Sequence, residues 1–392
     1  MIYVTGYGAI SAIGKNVEEI YASLVSEKSG IQKGSRNHTS RFKVGEVLLD
    51  NSELRSCFGL NTDGSRTSLL GMVAAKEAFS THVRLKDVRT GFISGTSVGG
   101  MDISEVEYKN FLDGKEHRIL SYAHHPSGTT SEEIAKELGG FDFVNTISTA
   151  CSSAANAIMM GARMIEAGFL DRAIVGGTDS LTQFTISGFR SLMIFDDEWC
   201  KPFDENRKGL NLGEGAGYIV LESAASLCLT KKTPIAILSG WSSASDAFHQ
   251  TASSPNGEGA VMSMKKALSV ANLSPKDIDY INAHGTATPN NDLSESKAIM
   301  NVFNGCIPPF SSTKAYTGHT LAASGGIEAV ISILALQNNI LFPNLNHTNV
   351  IEETGLTPIK KCGRTDKITH VLSNSFGFGG NNSTVIFTNI ES

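Results

Sequence analysis

Cys151 stands in Phe143-Val-Asn-Thr-Ile-Ser-Thr-Ala-Cys151-Ser-Ser-Ala-Ala-Asn156, where a β-branched run passes directly into an alanine-rich helical stretch. A cysteine at such a turn faces the free N–H groups and positive end of the helix, which favour a thiolate and lower its pKa. The same N–H groups can hold an oxyanion. Ser152 or Ser153 is the expected cap. Most cysteines are small buried hydrophobes, and those at 57, 200, 228, 306 and 362 lack this setting. Two histidines join the set: His284 in Tyr280-Ile-Asn-Ala-His284-Gly-Thr286-Ala-Thr288, and His319 in Lys314-Ala-Tyr-Thr-Gly-His319. Each follows a strand-like run, and either alone is more often structural. Cys151, His284 and His319 together suit a metal site, a Cys/His hydrolase or a thioester-handling centre. Long unequal gaps and no ligand pair at i, i+3 or i+4 make zinc the weakest of these. His124 and His125 read as solvated loop residues.

The elements that position these groups alternate short β-branched runs with alanine-rich helical stretches, the pattern of a layered α/β protein. Strands are expected over 2–5, 91–94, 144–148, 173–175, 217–222, 235–241, 280–282, 370–374 and 384–388. Helices are expected over 67–79, 130–138, 153–167, 259–271, 293–302 and 327–337. Ile158, Ala162 and Ile165 fall on one face at i, i+4, i+7. No internal repeat is visible, and a boundary near 235 divides an N-terminal half, 1–235, from a C-terminal half, 236–392. Gly6-Tyr-Gly8, Gly213-Glu-Gly215-Ala-Gly217 and Gly377-Phe-Gly379-Gly380 resemble pieces of phosphate loops. None completes a nucleotide fingerprint, so they read as tight turns.

Composition narrows the classes. The 392 residues are 41% hydrophobic and 18% charged, ordinary for a globular chain and too apolar for a disordered one. A net charge of -6 offers no basic surplus for nucleic acid. No uninterrupted apolar run nears the roughly 18 residues of a membrane span, and the opening MIYVTGYGAI lacks the basic n-region of a secretory signal. Six scattered cysteines without a CxxC pair fit a reducing cytoplasm.

Four blocks carry a resemblance: STACSSAANAI, KPFDENRKGLNLGEGAG, NAHGTATPNND and STKAYTGHTLAASGGIEA, between the opening IYVTGYGAISAIG and the closing SNSFGFGGNNSTVIF. Across essentially its whole length the chain resembles the elongating β-ketoacyl-acyl-carrier-protein synthases, whose fold is thiolase-like. The resemblance implies an α/β, five-layered αβαβα fold built from two similar βα halves. It implies an acyltransferase that joins an acyl thioester to malonyl-acyl carrier protein by decarboxylative Claisen condensation. Cys151 becomes the acyl-accepting nucleophile, His284 and His319 the pair acting on the extender, and Lys314 their supporting cation. Backbone N–H groups of Cys151 and Phe376 become the oxyanion hole. Thr286, Thr288, Phe376, Phe189 and Val98 become the substrate pocket, with Phe376 its gate and Val98 setting its depth. Glu328, Asp292 and Glu295 become supporting carboxylates.

No metal and no bound cofactor is implied, the substrates arriving on the phosphopantetheine of acyl carrier protein. The implied assembly is a homodimer, with no nucleic acid and no membrane span. The alternative is a ketosynthase subunit of a polyene or polyketide pathway, paired with a chain-length factor. Cys151 argues against the chain's being such a factor itself, and His319 beside Lys314 argues against a hydrolase. Departures from the resemblance affect the carrier and the acyl substrate. Met193 stands where a basic residue is common, and only Arg55 and Arg66 lie around 54–67, leaving Lys201, Arg207 and Lys208 to attract an acidic carrier. The stretch 121–130 is also unlike the pattern of a housekeeping enzyme.

Overall fold

The structure is a computed structural model that describes every residue except Asn37, Glu391 and Ser392. Ten strands share one sheet. In chain order they are β1 (Ile2–Ser11), β2 (Thr90–Gly95), β3 (Phe143–Ile147), β4 (Arg172–Asp179), β5 (Gly215–Ser223), β6 (Ala236–Ser245), β7 (Tyr280–Asn282), β8 (Phe310–Ser311), β9 (His370–Gly377) and β10 (Asn381–Thr388). Their spatial order is β8-β7-β9-β10-β6-β1-β5-β4-β2-β3.

Read outward from the seam between β1 and β6, the two halves are the same. Each runs first, fifth, fourth, second, third strand of its own set. Each makes two antiparallel pairings nearest the seam and two parallel pairings beyond them. The repeat that sequence comparison does not reveal is therefore a repeat of topology. The seam itself is short: Ile2, Tyr3 and Val4 pair with Leu238, Ile237 and Ala236.

Five helices complete the layers: α1 (Arg66–Phe79), α2 (Ser153–Glu166), α3 (Glu258–Ala271), α4 (Pro289–Phe303) and α5 (Ser324–Asn338). The helix α1 packs on β1, β5 and β4, while α3 packs on β6 and β10 with α4 beside it. Between the two halves of the sheet lie α2, against β4 and β2, and α5, against β9 and β5; the two touch. The order is αβαβα. All nine expected strands and six expected helices are present, most extended by a few residues. Two-residue β8 is too short to leave a hydrophobic pattern. Leu321–Asn338 has the length and mean hydropathy, 1.3, of a membrane-crossing stretch, but 89% of it is buried between the two halves of the sheet.

Gly6 and Gly8 lie inside β1, and Gly215 and Gly217 inside β5, rather than in turns. A Cβ on Gly8 of β1 would sit 2.3 Å from the carbonyl oxygen of Ala74, so α1 rests directly on the strand. A Cβ on Gly217 of β5 would sit 2.4 Å from the Ile327 nitrogen, where α5 crosses. Close approach of backbones, not turn geometry, accounts for these glycines. Gly8→Ala is expected to lower the unfolding free energy by about 1–3 kcal/mol through overpacking. Gly188→Ala, on the helix Gln183–Ser191 with nothing within 4 Å of the added carbon, should leave stability unchanged or raise it. Urea unfolding of the two variants measures the contrast.

Candidate active site

Between the end of β3 and the start of α2 the chain turns through Ala150, whose φ of 52° is a conformation that L side chains avoid. The Thr149 N–H donates to Ser153 Oγ (2.9 Å), and that hydroxyl donates to the Ala150 carbonyl (2.6 Å). Ser152 Oγ donates to the Thr149 carbonyl (2.8 Å). Both serines thus close the turn: Ser152 holds the N-cap position of α2 as expected, but its hydroxyl makes no capping bond to the helix. The turn presents Cys151, only 5% exposed. A Cβ on Gly377 would sit 3.0 Å from the Cys151 nitrogen, so any side chain there would press on the turn that carries the thiol.

The thiol departs from expectation. Burial pushes Cys151 up to about 11, against the opposing pull of the Lys314 charge and the Phe378 N–H. Desolvation of the anion outweighs the helix end, so near neutral pH this is an S–H group. Its partner is His319, whose Nε2 lies 3.1 Å from Cys151 Sγ.

The C-terminal half supplies both histidines. His284 follows β7 on a loop tied to α4: Glu295 accepts the N–H groups of His284 (2.9 Å) and Gly285 (2.8 Å), and Asp292 accepts those of Ala287 and Phe203. Burial raises the Glu295 carboxyl to about 7. Lys314 Nζ donates to the His284 carbonyl (2.6 Å), approaches His284 Nδ1 (3.2 Å) and pairs with Glu328. An ammonium can only donate, so Nδ1 of His284 carries no proton and Nε2 carries it. Burial, then the Lys314 charge, then the neighbouring His319 hold His284 well below its ordinary value; burial and Lys314 do the same to His319. Both rings are neutral, 5.4 Å apart and nearly perpendicular. The backbone of His319 is gripped by the N-terminal half, its N–H on the Asn211 carbonyl (2.7 Å) and its carbonyl on the Gly213 N–H (2.9 Å). Its Nδ1 meets Ser324 Oγ at 3.0 Å, a hydroxyl that serves either tautomer.

These groups open on a cavity of about 350 Å³ whose wall includes Thr286, Thr288, Phe189, Phe376 and Phe378. The Thr286 and Thr288 hydroxyls lie 2.9 Å apart. Phe376 differs from its expected role. It is a β9 residue paired with Asn382, buried in the core under α3 and α4, with its ring 5.8 Å from His284. The N–H that reaches Cys151 Sγ belongs to Phe378. Phe378 lies beyond β9, half-buried and followed by Gly379 and Gly380 at positive φ, and it stacks on Phe189 at 5.6 Å. Phe378, not Phe376, therefore supplies the N–H at Cys151 and the ring on the glycine-flanked loop. Strand alternation carries the missed signal: Leu372, Asn374 and Phe376 share one face of β9, whereas Phe378 is past the strand's end.

Val98 is not on the cavity wall. It is buried among Leu210, Leu212 and Leu321, with Phe189 and Ile194 against the same cluster. Arg207 is buried on the carbonyls of Asp204, Thr288 and Pro289, and Arg66 is buried on Glu214, so neither is a surface cation. Lys208 is exposed at the cavity mouth beside Met193, which is 87% exposed. His124 is half-buried and bonded to Glu133, whereas His125 is an exposed loop residue as expected, with Ser104 Oγ as its partner. Among the described residues no group of three or more His, Cys, Asp or Glu side chains is placed to hold a metal ion.

A small unbiased alkylating reagent at pH 7 should label exposed Cys57, Cys228 and Cys306 before Cys151. The Cys151 rate should climb as pH approaches its value of about 11. Peptide mapping of timed iodoacetamide reactions reads both; Cys151 labelled first at pH 7 would refute the neutral thiol.

Residues 1–226 match the β-ketoacyl synthase N-terminal domain and residues 235–348 the β-ketoacyl synthase C-terminal domain. The chain is 33% identical to 3-oxoacyl-[acyl-carrier-protein] synthase 2 of Staphylococcus aureus strain N315, covering 100% of this chain and 98% of that one. It is 32% identical to the Coxiella burnetii protein of the same name, covering 99% and 98%. Among solved structures, the ishigamide ketosynthase/chain length factor superposes with a TM-score of 0.92 at 28% identity, covering 99% and 98%. The Xenorhabdus doucetiae ketosynthase ApeO, in complex with its chain length factor ApeC, superposes at 0.85 with 31% identity and the same coverage. With a buried cysteine and two neutral histidines meeting across the two halves of this fold, the chain belongs to the β-ketoacyl synthase family of acyl-transferring condensing enzymes.

Proposed function

We propose that the chain is a 3-oxoacyl-[acyl-carrier-protein] synthase that condenses an acyl thioester with malonyl-acyl carrier protein. The observation that carries this is the 3.1 Å contact of Cys151 Sγ with His319 Nε2, beside a His284 whose Nε2 proton is fixed by Lys314. His319 takes the Cys151 proton as the sulfur attacks the incoming thioester carbonyl. It delivers that proton to the departing carrier thiolate, leaving acyl-Cys151. Malonyl thioester then occupies the cavity and loses carbon dioxide, its electrons forming an enolate whose oxygen is held by Nε2–H of both histidines. The nucleophilic carbon attacks the acyl-Cys151 carbonyl, and the N–H groups of Cys151 and Phe378 hold the resulting oxyanion. Collapse expels the Cys151 thiolate, which is reprotonated as the 3-oxoacyl carrier leaves.

The substrates bring their own phosphopantetheine, so the reading assigns the enzyme no resident cofactor or metal. Thr286 and Thr288 line the path of that arm, and exposed Lys208 serves the acidic carrier. A reducing cytoplasm suits a free nucleophilic thiol.

The second reading concerns the partner. Edge strand β3 has one open side, and all five of its residues are only half-buried. That supports a second chain adding to this edge, in the first reading another copy of this protein. The likeness to two ketosynthases described with chain length factors favours a heterodimer as the alternative. Native mass spectrometry distinguishes a self-dimer from a chain that stays monomeric until a chain-length factor is added.

Cys151→Gln should abolish condensation yet retain malonyl decarboxylation, because the histidine pair supplies that step. His284→Ala and His319→Ala should each slow decarboxylation about 100- to 1,000-fold, the usual cost of one oxyanion donor. Carbon dioxide release and 3-oxoacyl carrier formation, followed separately by mass spectrometry, check all three variants. A histidine variant that decarboxylates at the parental rate would remove that residue from the proposed role.

A further inference from the structure

Asp179, the last residue of β4, is fully buried, and no cation pairs with it among the described residues. It accepts from the Thr96 hydroxyl (2.6 Å), from the N–H groups of Ser97 (3.0 Å) and Val98 (3.0 Å), and from the N–H of Ala322 (2.9 Å). The first three donors lie on the loop after β2 in the N-terminal half. Ala322 lies three residues after His319, in the 3-10 turn Leu321–Ala323 that leads into α5. Leu321 holds a φ of 52°, so this turn is strained and needs an external hold. The Asn211 and Gly213 contacts grip His319 from one side, and the carboxylate grips the chain just beyond it.

Resting on the thiol–imidazole reading of the site, we infer that Asp179 is a positioning residue. Its ionised carboxylate clamps the turn after His319 to the N-terminal half and so holds His319 Nε2 in register with Cys151 Sγ. Four donors and the positive end of α5 are what stabilise the buried charge. The titratable groups its charge reaches are Cys151, ahead of α2, and Tyr218 on β5. Residues 96–98 and 321–323 present no titratable side chain. Burial raises Asp179 to about 6 against those hydrogen bonds. A carboxyl that must be ionised to hold the turn loses its hold as pH falls through that value.

The clamp separates two readouts: without it the thiol ionises more readily while turnover drops. In Asp179→Asn the charge beside Cys151 is gone, so the pH midpoint of Cys151 alkylation should fall. The misplaced imidazole should meanwhile lower condensation kcat roughly 10- to 100-fold. Thr96→Val removes only the shortest donor and should shift the acid limb of the kcat–pH profile to higher pH. The experiment measures kcat against pH and alkylation of Cys151 against pH for the full chain, the two variants and a Cys151→Ala control. Condensation by Asp179→Asn within twofold of the parent, or an alkylation midpoint unmoved or raised, overturns the clamp. Should Asp179→Asn fail to fold, Thr96→Val decides alone, and an unmoved acid limb overturns it. Condensation by Cys151→Ala would instead overturn the reading of the site on which the clamp rests.

Discussion

A charged ammonium with 2% of its surface exposed is the constraint around which the C-terminal half of the site is built. Lys314 cannot be buried without acceptors, and three are supplied: Glu328 on α5, and the carbonyl and Nδ1 of His284. Removing one partner from such a buried pair typically costs about 3–5 kcal/mol. Satisfying Lys314 therefore fixes the His284 loop against α5. It fixes the tautomer of His284 as well, and its charge adds to the larger effect of burial in keeping both imidazoles neutral. Glu295 and Asp292 hold the same loop from α4, so α4 and α5 together determine where its donors point.

The repeated topology explains why the reacting groups meet. Each half delivers a central helix to the space between the two halves of the sheet, and α2 and α5 begin close together because β4 and β9 occupy equivalent places. Cys151 precedes α2, and His319 precedes α5. The repeat superimposes strands without superimposing chemistry, one half giving a buried thiol and the other the imidazole that meets it. Their register depends on contacts crossing between halves: His319 with Asn211 and Gly213, and Ala322 with Asp179. Glycines at 8, 217 and 377 let backbones approach closely enough for this geometry to close.

Much of this was legible in the residues. A β-branched run meeting an alanine-rich run located Cys151, and the nine strands and six helices followed from period and composition. What was not legible follows from burial and from end effects. The helix-end argument predicted a thiolate because sequence shows the dipole and not the desolvation, and desolvation is the larger effect here. Phe376 and Phe378 are two residues apart between glycines, and only knowing that β9 stops at Gly377 separates a ring fixed in the strand from a ring on the loop beyond it. Val98 looked like a pocket residue because nothing in a sequence distinguishes the wall of a cavity from the layer behind it. Arg207 looked like a surface cation because its carbonyl acceptors, Thr288 and Pro289, are some eighty positions away.

The two histidines are not equivalent, and the difference follows from what each Nδ1 touches. Lys314 can only donate, so His284 keeps its proton on Nε2 and can only donate from that atom into the cavity. Ser324 can donate or accept, so His319 is free to exchange tautomers. In the proposed reaction one ring is thus a fixed oxyanion donor. The other can receive the thiol proton in the first half-reaction and present an N–H in the second. A buried, neutral Cys151 needs that exchange, because it has no standing thiolate with which to attack. Moving Lys314 beside His319 instead would fix the proton on the wrong ring and leave the thiol without a base. The placement of one lysine and one serine is therefore enough to give two chemically identical side chains separate duties in successive steps.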